Sequence, residues 1–230
     1  MTVLHLADEG EAADLAAFLA RLLHYDRGAA VRLQAAGTAL AVFGRPPSFE
    51  VLAIRAARLA KPYENGLAVA LDVTVSAGEL LETVDEPAAT LTVPGAVTGP
   101  PWAGVLPPRG GWRPEAGLPG PDALRAMVAA AVAEFRARTQ ELTPELRTRA
   151  ELDRIGREIW SRTVGDTHLP VRAVHAAQSL GFLRPAQGAR ASGAAPLALV
   201  SSGPWLRLRT PYGSIVVRRA GLGALDVSVR

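Results

Sequence analysis

The chain has 230 residues, 49% of them apolar, and a formal net charge of +3, enough for one large domain or two small ones with real cores. It has no cysteine, which excludes disulfides, thiolate metal sites and cysteine nucleophiles. No run of about 18 apolar residues is available to span a bilayer, and Asp8, Glu9, Glu11 and Asp14 stand where a signal peptide needs a basic start, so the expected protein is cytoplasmic, with no membrane partner.

Charge is distributed unevenly. Residues 1–110 carry 8 basic and 12 acidic side chains, while residues 111–230 carry 17 and 10. Over 160–230, nine arginines face only Asp166 and Asp226, and such a skew predicts an anionic partner for the C-terminal part.

In chain order, Val3–Leu6 reads as a short strand, and Leu15, Phe18, Leu19 and Leu22 form the apolar stripe of a helix over 11–25. Val31 to Ala35 and Ala39 to Phe43 alternate as strands, with Gly37 read as a turn between them. Phe49 to Ala57 and Leu67 to Val75 are further strands. Ser76-Ala-Gly-Glu79 is a capping box that opens a short helix, and Thr90 to Val93 closes the set. Residues 94–121 hold eight prolines and seven glycines, so neither helix nor sheet persists there. Trp102, Val105, Leu106 and Trp112 nevertheless predict a segment anchored on a neighbouring surface.

Two helices are expected over 122–142 and 144–163, the second capped by Thr143 with Pro144 at its first position. A third begins near Pro170, with Gly181 as its left-handed cap and Phe182 folding back. After a Gly/Ala-rich loop from Arg184 to Pro196 and a strand over 197–200, a hairpin runs Trp205–Arg209, turns at Thr210-Pro-Tyr-Gly213, and returns over 214–219. Leu225, Val227 and Val229 suggest one more strand. The fold class is α+β: an N-terminal domain of antiparallel sheet and helices (1–93), an anchored Pro/Gly-rich connector (94–121), and a helical domain with a basic β-hairpin in winged-helix-like order (122–230).

The stretches Leu106-Pro-Pro-Arg-Gly-Gly-Trp112, Ser179-Leu-Gly-Phe-Leu183 and Trp205-Leu-Arg-Leu208 with Tyr212-Gly-Ser-Ile-Val-Val-Arg-Arg219 resemble a conserved actinobacterial family of unknown function. That resemblance implies an N-terminal α/β part and a C-terminal helical part, and brings no activity or site residues.

Catalytic chemistry finds little support. Asp166, His168 and His175 lack any metal-ligand spacing, and Ser179 in Ala177-Gln-Ser-Leu-Gly181 sits in a helix end where a nucleophile elbow needs a strand-to-helix turn. Neither a GxGxxG nor a P-loop occurs. No catalytic residue, metal ligand or cofactor is expected. The hairpin and the helix before it supply the candidate anion- or partner-binding residues Arg172, Arg207, Arg209, Arg218 and Arg219. The expected function is a non-enzymatic interaction, regulatory or scaffold protein, with an acidic protein or a nucleic acid as partner and a homo-oligomer left open. Two alternatives stand beside it. One is a winged-helix-like DNA binder in which Arg172, His175 and Ser179 face bases; the other is an enzyme whose site is assembled from remote residues.

Overall fold

The computed structural model of the chain describes residues 2–63, 71–185 and 197–219. The start of the strand expected from Leu67, most of the loop between Arg184 and Pro196, and the alternation at Leu225, Val227 and Val229 lie outside the described residues. Those described form an α+β fold. Its strands are β1 (Val3–His5), β2 (Ala30–Gly44), β3 (Leu52–Tyr63), β4 (Leu71–Ser76), β5 (Val84–Asp85), β6 (Thr90–Thr92), β7 (Arg113–Glu115), β8 (Ala198–Ser202), β9 (Trp205–Thr210) and β10 (Gly213–Arg218). The helices are α1 (Glu9–Tyr25), α2 (Ala77–Glu82), α3 (Pro121–Gln140), α4 (Arg149–Trp160) and α5 (Val171–Ser179).

A small sheet has the order β1-β6-β5, and a large one the order β4-β2-β3-β10-β9-β8-β7, with every pairing antiparallel. The large sheet is continuous across the chain, because β10 pairs with β3 through Ser214–Ile54, Ile215–Ala53 and Val216–Leu52.

Local chemistry accounts for most element ends. Asp8 caps α1 by accepting from Glu11 N–H at 2.8 Å, and Ser76 caps α2 by accepting from Glu79 N–H at 3.4 Å. The helix expected from Pro144 starts instead at Arg149, capped by Thr148, whose hydroxyl accepts from Glu151 N–H at 3.3 Å. Thr148-x-x-Glu151 is a capping box, which outweighs the first-position preference of Pro144. At the end of α5, Gly181 has φ +76°, its N–H donates to Gln178 C=O, and Phe182 N–H donates to Ala177 C=O at 2.7 Å. These two bonds make a Schellman ending.

The turn expected at Gly37 is not one. β2 runs straight through it, and Gly37 (φ +55°) sits at a register shift in the pairing with β3. Before it Val31, Leu33 and Ala35 are buried; after it Leu40 and Val42 are. The irregularity shifts the phase of the strand by one residue, so both halves turn apolar side chains to the same core.

One face of the sheet carries the main core. Leu15, Phe18, Leu19 and Leu22 of α1 and Val174, Ala176 and Ala177 of α5 share a cluster with Val31, Leu33, Leu206, Leu208, Ile215 and Val217. Phe18 and Phe182 stack with ring centroids 5.6 Å apart, which ties α1 to the residues after α5. The opposite face carries a second, smaller core. There Phe43, Leu52, Ile54 and Val216 are buried beneath Trp102, Leu106, Trp112 and Trp205. The Pro/Gly-rich segment is thus a strap laid over the outer face of the sheet, held by half-buried Trp102, Leu106 and Trp112, while Val105 points outward at 52% exposure.

Candidate functional site

The registers separate the five candidate arginines. Arg207 lies opposite Val216, Arg209 opposite Ser214, and Arg218 opposite Trp205, so these three share the outer face with the strap, as strand alternation requires once Leu206, Leu208, Ile215 and Val217 are buried. Arg172 lies on the helical side, 3.9 Å from Glu50. Arg219 takes the phase of Ile215 and Val217 and pairs with Glu115 of β7. The Glu115 carboxyl is held below the usual range by hydrogen bonds, first from Ser201 and then from Arg219. Only three of the five therefore come together.

Their surroundings differ from those of three other arginines of the sheet. Arg32, Arg55 and Arg58 of the same sheet each have carboxylate partners, at 2.7 Å for both Arg32–Asp72 and Arg55–Glu11 and at 3.0 Å for Arg58–Asp8. Among the described residues, no carboxylate makes an ion pair with Arg207, Arg209 or Arg218. The partners they do have are indoles. The Arg218 guanidinium carbon stands 4.9 Å from the ring centre of Trp205, and that of Arg207 stands 5.7 Å from Trp112. Trp112 is itself fixed by donating from Nε1 to Pro108 C=O at 3.0 Å. Burial, and then the charge of Arg209, lower the pKa of the Arg207 guanidinium, and its buried Nε has no hydrogen-bond acceptor. Arg209 and Arg218 are exposed. Three cations thus share one face with no carboxylate ion-paired to them among the described residues, and like charges that close repel one another.

The residues weighed for catalysis do not converge. Asp166 and His168 are exposed in the turn before α5. His175 stacks on Trp160 at 4.6 Å and meets the edge of Phe49 at 5.1 Å, and its burial lowers its pKa. With Gln178 and Ser179 it lines a groove of about 470 Å³ against Val128, Val132 and Arg136 of α3. No group of three or more His, Asp or Glu among the described residues is placed to hold a metal ion, and no helix among them is long and apolar enough to cross a membrane.

A buried ion cluster that sequence reading missed joins the two ends of the chain. Arg55, only 3% exposed, donates to Glu11 Oε2 at 2.7 Å and to Tyr212 C=O at 3.1 Å, and lies 3.5 Å from Asp14. Arg184 pairs with Asp14 and lies over the Tyr212 ring at 3.5 Å. The signal available was the pair of acidic residues, Glu11 and Asp14, near the apolar stripe of α1.

The architecture is that of a two-part α+β protein whose halves complete one sheet and whose basic outer face is crossed by a strap. Residues 107–222 match the model of a domain of unknown function, DUF8185, and residues 1–104 match that of a second, DUF8010. Since the first match covers half of the chain, the protein belongs to the DUF8185 family. No curated protein and no solved structure matches the chain.

Proposed function

We propose that this protein works by binding and not by catalysis, and that the outer face of β9 and β10 receives a partner rich in carboxylates or phosphates. The observation that supports this is the set Arg207, Arg209 and Arg218 on one face, without a carboxylate partner among the described residues, in a sheet whose Arg32, Arg55 and Arg58 are all paired. Arg172 and Arg219 take supporting places, since each already has a carboxylate in reach. A cytoplasmic setting suits a cysteine-free chain.

Elution of the native chain from an immobilised polyanion such as heparin, across salt concentrations, tests this reading. The triple variant R207Q/R209Q/R218Q should elute at clearly lower salt while keeping the thermal midpoint of the parent. Equal elution of parent and variant would remove the basis for the proposal.

A further inference from the structure

Resting on that reading, we infer that the anion taken by this face is the backbone of a single-stranded nucleic acid, whose bases meet the indoles of Trp205 and Trp112. Charge and aromatic surface are interleaved here. Trp205 and Arg207 are two residues apart on β9, and Arg218 faces Trp205 across the hairpin at 4.9 Å. Successive bases on aromatic faces, beside a basic track that follows the backbone, is the common physics of single-strand binding. An acidic peptide needs only the cations.

The shape of the face points the same way. In register, Arg207 is flanked by Val200 and Val216, and Arg209 by Ala198 and Ser214, so around the arginines the face is built of short side chains without carboxylates. Arg207 and Arg209 are separated by two strand residues, roughly 7 Å along β9, so they address successive charges of an extended chain and not one point. On this sheet face Arg209 and Arg218 are exposed, while Arg207 is half-buried beside Trp112. In α5, the short helix that a major-groove reading requires, Val171, Ala173, Val174, Ala176 and Ala177 are buried. Exposed Arg218, its guanidinium carbon 4.9 Å from the ring centre of Trp205, is free to exchange the ring for a phosphate when a strand arrives.

The test uses the full chain and fluorescence anisotropy with three labelled probes: oligothymidylate, a duplex of equal length, and polyglutamate. Oligothymidylate should bind best, with tryptophan emission quenched on binding. R207Q/R209Q/R218Q should make its log–log salt slope shallower by about 0.7 for each phosphate that is no longer neutralised. Trp205→Leu should weaken oligothymidylate at least about fivefold and leave polyglutamate unchanged. Trp112→Leu, which removes the other ring and should weaken oligothymidylate in the same way, serves if Trp205→Leu lowers the thermal midpoint. Tighter binding of the duplex, or equal binding of polyglutamate with no effect of either tryptophan variant, overturns the single-strand inference while leaving an anion-binding face. No binding of any probe overturns both.

Discussion

Arg55 links the two halves of the chain, through Glu11 on one side and Tyr212 C=O on the other. It is 3% exposed and Glu11 is 5% exposed, so neither charge keeps enough water to stand alone. Arg55→Met leaves Glu11 buried without its closest cation, and unfolding by urea should show a loss of roughly 3–5 kcal/mol. Gly213 is constrained by space: a β-carbon there would lie 2.6 Å from Phe182 Cζ. Gly213→Ala should therefore cost about 1–3 kcal/mol by overpacking, visible as a lowered thermal midpoint. His175 carries a pH signature. Its folded-state pKa is depressed by burial, so below about pH 6.5 the unfolded chain takes up a proton that the folded chain resists. Stability should fall as pH drops through that value, until the folded-state pKa is passed, and His175→Phe should flatten that part of the stability profile. At this scale the sequence told part of the story. Alternation at Leu206 and Leu208 placed Arg207 and Arg209 on one face, but nothing local told that Arg219 would meet Glu115, 104 residues away.

At the scale of elements, the α3–α4 pair is fastened by exposed charges. Arg138 meets Glu158 at 2.7 Å and Arg162 reaches Glu134, while within α4 Arg154 lies 3.6 Å from Glu158. The Glu158 carboxyl is lowered to about 2, chiefly by its hydrogen bond from Arg138. A depressed carboxylate stabilises above its unfolded-state pKa of about 4.3, and that contribution is lost as pH falls toward the folded value. Amide protection relative to the unfolded chain at the facing turns of α3 and α4 should therefore fall between about pH 4.5 and 2 in the parent, with much less change in Glu158→Gln. Two helix termini were legible because capping is local: Ser76 with Glu79, and the Gly181–Phe182 ending, follow from a handful of adjacent residues, whereas the start of α4 at Thr148 was misplaced because Thr143-Pro144 offers a competing local signal. Gly37 was not, because a glycine with positive φ serves a tight turn and a strand irregularity equally well. What separates the two is whether Leu40 and Val42 pair back on Val31 and Leu33 or continue beside β3, and that is a tertiary question.

The whole molecule is organised by the β3–β10 pairing, which brings Ile54 beside Ser214. Such a contact is invisible to periodicity, since strands far apart in sequence carry no mark of their partner. The two family matches meet between residues 104 and 107, yet α1 and α5 contribute to one apolar cluster. All four tryptophans lie at position 102 or later, so their emission reports mainly on the second half of the chain. Leu15→Ala, a cavity in α1, should cost about 2–5 kcal/mol and shift tryptophan emission and far-ultraviolet circular dichroism by the same amount. Two separated transitions would refute a shared core.

The double-sided sheet has a consequence for how the sequence tolerates change. In the first half of β2, buried residues alternate with partly exposed ones; from Val51 to Arg55, and from Ser214 to Val217, every residue is buried. A saturation scan of all positions should therefore draw two kinds of stripe. Over residues 31–35 polar substitutions should be accepted at every second site, whereas 51–55 and 214–217 should appear as unbroken blocks of intolerance. Those blocks would trace the line where one half of the chain is sewn to the other.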